Sequence, residues 1–141
     1  MTLLKTALLA ALLTSSSGDL SQREEEAVQA AALKHYLAQQ KPPQGDPVCL
    51  AVSGYKAPSA SLRRLLRGVK LDRDKNCHLR VGALVYSLTR AGLDSDDSGD
   101  LARLELSRLT FGDVSMIIER FIYKLELTSP WRVRSAERAA Q

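Results

Sequence analysis

The chain has little of the material from which catalytic and metal sites are usually built. It contains two histidines and two cysteines in 141 residues. No Gly-x-Ser-x-Gly segment and no glycine-rich phosphate loop occur, which argues against an α/β-hydrolase and a nucleotide-binding loop. Cys77 and His78 are adjacent, not spaced like a chelating pair, and a structural zinc ion requires four ligands. The sequence therefore carries no recognisable catalytic or zinc motif.

Long apolar runs are also scarce. Residues 8–13 form a short run, Leu-Leu-Ala-Ala-Leu-Leu, whereas a membrane-spanning helix needs about 20 apolar residues. The run follows Lys5 and precedes small residues, of which Ser15 and Ser17 have the spacing that signal peptidase prefers. This layout predicts that residues 1–17 are a secretory signal peptide. The alternative is an N-terminal helix with one apolar face.

Residues 18–141 would then form the mature protein. A chain of roughly 120 residues is long enough for one hydrophobic core but not for two. The sequence is 45% hydrophobic and 26% charged, which is ordinary for a globular protein. We therefore predict one exported domain, periplasmic or extracellular, without a membrane span after signal removal.

Aromatic residues make up only 5% of the chain, and none lies in its most basic segment. Seven basic residues crowd that segment: Arg63, Arg64, Arg67, Lys70, Arg73, Lys75 and Arg80. Such a patch is able to hold phosphates or an acidic surface. Nucleic-acid-binding proteins, however, usually interleave aromatic residues for base stacking. The favoured interpretation is a solvated helix face and loop, and nucleic acid is disfavoured as a partner.

Cys49 and Cys77 are the only cysteines of the chain. Two cysteines in an exported domain usually pair. A bridge between them would stabilise the domain by roughly 3–4 kcal/mol through loop-closure entropy. We therefore predict a disulfide, with Cα atoms less than about 7 Å apart. If the chain stays in a reducing cytoplasm, two buried free thiols are the alternative.

The N-terminal half has helical periodicity. Ser21-Gln22-Arg23-Glu24 is a capping box, which predicts a helix running to about Gln40. Its apolar residues form one stripe: Ala27, Val28, Ala31, Ala32, Leu33, Tyr36 and Leu37. Residues 47–53 then predict a strand with Val48, Leu50 and Val52 on one face and Cys49 on the other. Ser59 or Ser61 is expected to cap a short helix whose Leu62, Leu65 and Leu66 point inward.

From Gly82 onwards the apolar period changes to two, which predicts strands. The alternating sets are Leu84, Tyr86 and Leu88; Ala102, Leu104 and Leu106; Phe121, Tyr123, Leu125 and Leu127; and Trp131, Val133 and Ser135. Helices first and strands after predict an α+β fold with the N-terminal helix packed on a C-terminal antiparallel sheet. We expect Val28, Leu33, Tyr36 and Leu37 to be buried against Leu84, Tyr86, Leu88, Phe121, Tyr123, Leu125 and Trp131.

Residues 94–105 match the ligand spacing of an EF-hand loop. The residues at the metal-ligand positions are Asp94, Asp96, Ser98, Asp100 and Glu105, with Gly99 at the sharp turn. An EF-hand also needs a helix on each side, and the alternating residues 82–89 are poor helix formers. Asp, Ser and Gly also favour turns. A β-turn over residues 94–100 between two antiparallel strands is therefore preferred, with calcium as the alternative.

Two segments resemble small exported bacterial proteins of uncharacterised function. One is the C-terminal pair Phe121-Ile-Tyr-Lys-Leu-Glu and Trp131-Arg-Val-Arg-Ser-Ala-Glu137, which looks like the closing hairpin of such domains. The other is residues 48–77, where a strand cysteine, Pro58-Ser59-Ala-Ser-Leu62-Arg-Arg-Leu65 and a later cysteine recur. The resemblance implies an exported, cone-like, helix-on-sheet fold similar to NTF2-like and cystatin-like domains. It implies no activity, because such folds carry both enzymes and binding modules.

These patterns favour a non-catalytic module that binds a small apolar ligand or a partner protein. The inward-facing sheet residues are mostly Leu, Tyr, Phe and Val, whereas an NTF2-like enzyme needs ionisable side chains in its pocket. His35 is interpreted as a surface or packed histidine, and Trp131 and Tyr123 as core or cross-strand partners. The alternatives are an NTF2-like pocket enzyme and a calcium-binding module.

Calcium is expected to bind weakly or not at all, because strands rather than helices flank the acidic loop. Calorimetric titration of the protein with calcium chloride should show no binding with a dissociation constant near the micromolar range of EF-hand sensors. A micromolar constant that is lost on changing Asp94 to Asn would contradict the strand–turn–strand interpretation.

Overall fold

The first described helix, α1, spans Gln22–Gln39 in a computed structural model that describes residues 20–42, 45–94, 101–110, 116–126, 128 and 130–139. The predicted signal peptide lies outside these residues. The capping box is present: the Ser21 hydroxyl accepts the Glu24 N–H at 3.1 Å, and the Glu24 carboxylate accepts the Ser21 N–H at 3.0 Å. α1 therefore begins where the sequence predicts.

Six strands follow the helix and form one sheet. Their bounds are β1 Cys49–Val52, β2 Leu84–Leu88, β3 Gly92–Asp94, β4 Leu101–Thr110, β5 Met116–Glu126 and β6 Arg132–Arg138. The sheet order is β1-β2-β4-β5-β6, and β3 pairs with the start of β4, along the same edge of β4 as β2. β1 is parallel to β2, and the other pairs between described strands are antiparallel. The α+β prediction is confirmed, and the sheet is mixed where the sequence predicts an antiparallel one.

The two faces of the sheet have different surroundings. α1 packs on the inner face, where Leu50, Leu88, Leu104 and Leu125 belong to the main core. On the outer face a smaller apolar cluster contains Cys49, Ala51, Cys77, Val85 and Leu109. β1 is therefore buried on both faces, which explains its short, continuous apolar sequence.

The predicted helix–sheet core is confirmed. Val28 and Leu33 on α1 are fully buried, and Tyr36 is buried with its ring at 6.0 Å from that of Tyr86. Leu37 packs against the same core but is only half-buried. Leu84, Phe121 and Trp131 are also half-buried members of this contact.

The short helix α2 spans Ala60–Leu65 and is capped by Ser59, whose hydroxyl accepts the Leu62 N–H at 3.1 Å. Leu62 and Leu66 are each 1% exposed, whereas Leu65 is 41% exposed. The prediction that Leu65 points inward is wrong. Leu62 and Leu66 are four residues apart and share the inward face, whereas Leu65 is rotated about 60° from Leu62 and about 100° from Leu66 around the helix.

Strands β4 and β5 are longer than the sequence predicts. They pair from Leu101 and Glu126 at one end to Thr110 and Met116 at the other. The additional length was hidden because Arg108 and Glu119 replace apolar residues at inward positions and so interrupt the period-two pattern.

A bulge changes which side chains of β6 face the core. The register shifts between Lys124 and Leu125, so Leu125 pairs with Val133 whereas Tyr123 pairs with Ala136. Val133 and Ala136 both pack on the main core. The prediction that Ser135 shares the face of Trp131 and Val133 is wrong, because the bulge inserts one residue between the two inward positions.

We expect Leu33 to contribute more to the stability of the protein than Leu37, because the Leu33 side chain is fully buried. Leu33→Ala should lower the free energy of unfolding by about 2–5 kcal/mol. Leu37→Ala should lower it by less, because the Leu37 side chain is only half-buried. Lys34→Ala, on the exposed face of α1, should cost well under ~1 kcal/mol. Denaturant unfolding of the three variants measures this order. Equal losses for Leu33→Ala and Lys34→Ala would contradict the docking of α1 on the sheet.

Candidate functional site

A cleft lies where α1, α2 and the start of β6 meet. It encloses about 560 Å³, and we refer to it as the Trp131 groove. Its lining residues are Ala27, Ala30, Ala31, Lys34, His35, Leu65, Pro130, Trp131, Arg132 and Val133. Its volume lies within the range of about 300–1,000 Å³ that is usual for small-molecule sites.

Small side chains on α1 create this groove. Ala27, Ala30 and Ala31 lie on the side of the helix that faces β6, and none of them fills the space above the strand. Leu65 and Trp131 close the groove from the two other elements. The exposed Leu65 is therefore a wall of the groove, and the groove itself is mainly apolar.

The charged residues that line the Trp131 groove are all basic. Lys34 comes from α1 and Arg132 from β6, and both are exposed. Among the described residues that line the groove, none is acidic. The arrangement suits a molecule with an apolar body and an anionic group, because the two cations lie at the rim of an apolar floor.

His35 lies between the groove and the core. Its Nδ1 is 3.2 Å from the Tyr123 hydroxyl oxygen, and the two rings meet edge to face with centroids 5.5 Å apart. Tyr123 is a core residue, and burial raises the pKa of its phenol to about 12. The predictions of a packed histidine and a core tyrosine are confirmed by these contacts. Trp131 packs on the core as predicted and also lines the groove.

A buried charge cluster lies at the other end of the inner sheet face. Glu119 is 5% exposed, and its Oε1 accepts a hydrogen bond from the Tyr36 hydroxyl. The same oxygen is 3.4 Å from the Arg108 guanidinium, and Oε2 accepts from Arg138 at 3.0 Å. The carboxylate thus has a partner on each oxygen, and the cluster joins α1, β4, β5 and β6.

Tyrosines surround this cluster in their neutral form. Burial, followed by the hydrogen bond to Glu119, raises the pKa of Tyr36 well above its usual value. Burial also raises the pKa of Tyr86, which pairs with Arg108 across the sheet. The cluster therefore has one carboxylate, two guanidinium groups and two neutral phenols. Both oxygens of Glu119 have partners, whereas the buried Nε of Arg108 has none among the described residues.

A second buried carboxylate holds α2 against α1. Glu26 accepts hydrogen bonds from the hydroxyls of Ser59 at 2.6 Å and Ser61 at 2.5 Å. Burial raises the pKa of Glu26, but the hydrogen bonds from Ser59, Ser61 and Gln22 outweigh it, so the pKa lies below its usual value. The contribution of Glu26 to stability is therefore present above the ordinary carboxyl pKa and is lost as the pH falls through the lowered one.

The predicted cysteine pair lies at bonding geometry. The sulfurs of Cys49 and Cys77 are joined and the Cα atoms are 5.9 Å apart, within the predicted limit. The bridge ties β1 to the short 3-10 helix Cys77–Leu79 on the outer face. It lies outside the Trp131 groove and so supports the scaffold rather than the site.

The residues of the predicted calcium loop lie on strands where they are described. Asp94 ends β3 and Glu105 lies inside β4, and β3 and β4 are antiparallel, as the sequence predicts. The Asp94 carboxylate is 3.1 Å from Lys124 Nζ, and Glu105 pairs with Arg120 at 3.1 Å. Asp96, Ser98 and Asp100 lie outside the described residues. The structure thus has strands where an EF-hand requires helices.

Within the described ranges, no group of three or more His, Cys, Asp or Glu side chains is arranged to hold a metal ion. No helix in the described part of the chain is long and apolar enough to cross a membrane. Comparisons with family models, with curated proteins and with solved structures find no match for this chain.

Sequence reasoning missed the Trp131 groove and the Glu119 cluster for different reasons. The groove depends on which of the α1 alanines face β6. The predicted stripe places Ala27 and Ala31 with the core residues and does not include Ala30, which also lines the groove. The cluster had a sequence signal, since Arg108 and Glu119 are single charged residues inside segments that otherwise alternate. These two residues indicate a buried charge pair only when β4 is known to extend through Arg108 and β5 through Glu119.

Tyr123 is expected to make stability fall at alkaline pH. Its pKa is about 12 in the folded chain and about 10 when unfolded, so its contribution is fully present below about pH 10 and is lost as the pH rises towards 12. From pH 8 to pH 11 the wild type should lose about 1 kcal/mol more unfolding free energy than Tyr123→Phe. Urea unfolding at both pH values measures the difference. Identical losses in the two proteins would show that the phenol is not protected by burial.

Proposed function

We propose that this protein is an exported, non-catalytic binding domain that holds a small apolar molecule with an anionic group in the Trp131 groove. The observation that carries the proposal is the composition of the lining, an apolar floor with Lys34 and Arg132 as its only charged residues among those described. A carboxylate, sulfate or phosphate would pair with these cations, and its apolar body would lie against the alanines of α1 and Trp131.

Export is supported by two features. The first is the predicted signal peptide, residues 1–17. The second is the Cys49–Cys77 pair at bonding geometry, since disulfides persist mainly in oxidising compartments. The kinship to small exported bacterial proteins with NTF2-like or cystatin-like folds stays part of this proposal, supported by a long helix packed on a sheet.

Binding is preferred to catalysis because of where the ionisable groups lie. Arg108 and Arg138 each pair with the buried Glu119, and none of the three lines the Trp131 groove. His35 lines the groove, but its Nδ1 contacts the Tyr123 hydroxyl, whose raised pKa makes it a poor proton acceptor and donor at neutral pH.

The chain's single tryptophan makes the proposal directly measurable, because Trp131 lines the groove. Titration with decanoate should shift the tryptophan emission to shorter wavelength and saturate. Decyltrimethylammonium, with the same chain length and the opposite charge, should bind at least about tenfold more weakly, a difference of ~1.4 kcal/mol.

Two variants separate the charge of the groove from its volume. Lys34→Glu should weaken decanoate binding about tenfold, whereas Lys41→Glu, the same charge change at an exposed residue outside the groove, should leave it unchanged. Ala31→Leu should block binding by filling the space. Equal binding of the two amphiphiles, or full binding by Ala31→Leu, would reject the groove as the site.

A further inference from the structure

The last strand of the sheet, β6, has a neighbour on one side only within the described part of the chain. It pairs with β5, and the sheet order ends there. A terminal strand offers a row of N–H and C=O groups to any extended segment that approaches it. The start of the same strand, Arg132 and Val133, lines the Trp131 groove, whereas Ala136 and Arg138 further along the strand do not.

The hydrogen-bond pattern shows which groups of β6 face outwards. The Ala139 N–H donates to the Arg120 carbonyl at 2.8 Å, which makes residues 120 and 139 a hydrogen-bonded pair. In an antiparallel ladder such pairs alternate with non-bonded ones. Arg138 opposite Phe121 and Ala136 opposite Tyr123 are therefore the non-bonded pairs. The backbone N–H and C=O of Ala136 and Arg138 point to the open edge.

A second cleft lies along the same part of β6. It encloses about 480 Å³ between the end of α1 and the strand, and Gln39, Phe121, Val133 and Ala136 are among the residues that line it. We refer to it as the edge cleft. Strand addition combines main-chain hydrogen bonds at an edge with a pocket for alternate side chains. The edge and the edge cleft supply both parts.

The charge of β6 selects the kind of segment that fits. The strand contains three basic residues, Arg132, Arg134 and Arg138, and one acidic residue, Glu137. The side chains of Arg134 and Arg138 are 47% and 66% exposed although they pair with Glu126 and Glu119. A second copy of β6 would place arginine near arginine, which is unfavourable across strands. An acidic segment is complementary.

We propose that β6 is a docking edge for an acidic, extended segment of a partner protein, which adds to the sheet as a strand and places one apolar side chain in the edge cleft. Charge and a bulge on an edge strand also serve to prevent aggregation. Strand addition differs from simple protection because it requires the outward N–H of Ala136 and discriminates between acidic and basic segments.

The test uses a fluorescein-labelled peptide of eight alternating glutamate and valine residues, with its lysine–valine counterpart as the control for charge. Fluorescence anisotropy should show saturable binding of the acidic peptide and at least tenfold weaker binding of the basic one. Ala136→Pro removes the outward N–H, a change that edge strands tolerate, and should weaken binding at least tenfold. Ala136→Ser keeps that N–H and should bind like the wild type.

Arg134→Glu provides a second variant that leaves the backbone unchanged. This substitution should weaken binding of the acidic peptide at least fivefold. It should leave the melting temperature of the protein close to that of the wild type. Equal binding of both peptides, or full binding by Ala136→Pro and Arg134→Glu, would overturn the proposal. Sedimentation of the protein alone gives the remaining outcome: a dimer that Ala136→Pro converts to a monomer would show that the edge is occupied by a second copy instead.

Discussion

The contact between α1 and the inner face of the sheet is the constraint on which the rest of the molecule depends. Val28 and Leu33 have no exposed surface, and they lie against strand leucines that are equally buried, such as Leu104 and Leu125. Burying each such side chain contributes roughly 1.5–3 kcal/mol. A single helix is narrower than a six-stranded sheet, so clefts remain along its sides. The Trp131 groove and the edge cleft both lie where α1 meets β6, and both are consequences of covering a wide sheet with one long helix.

The Glu119 cluster shows how polar groups are accommodated under the same helix. Beyond Phe121 the inner face changes from leucine to charge, and Tyr36 reaches from α1 to the carboxylate there. Buried ion pairs add little stability compared with apolar packing, but removing one partner leaves an uncompensated charge that costs about 3–5 kcal/mol. The cluster therefore fixes how the end of α1 sits on β4 and β5 rather than strengthening the fold as a whole. Its carboxylate has a partner on each oxygen, and its Arg138 side chain reaches the surface, where it is 66% exposed.

Sequence reasoning reached the elements that carry a strong local signal. The capping box at Ser21, the stripe on α1 and the alternation in β2 and β4 all depend on residues close together in the chain. It failed where the answer depends on distant residues. The parallel pairing of β1 with β2, the bulge in β6 and the full length of β4 and β5 depend on what lies across the sheet. Leu65 illustrates the same limit, because a leucine near the end of a six-residue helix has several possible neighbours and only the tertiary structure decides among them.

The candidate sites follow from side chains that the core does not use. An inward residue of α1 has to be apolar, but only its size decides whether it fills the space next to β6, and alanine leaves that space open. The strand at that boundary ends the sheet and carries three arginines, so the open space is apolar inside and basic at its rim. The proposed binding of an anionic amphiphile depends on those two properties together. Catalysis would require an ionisable group directed into the same space without a protein partner. Among the described residues that line the groove, His35 is held against a buried phenol, and Lys34 lies on the exposed side of α1.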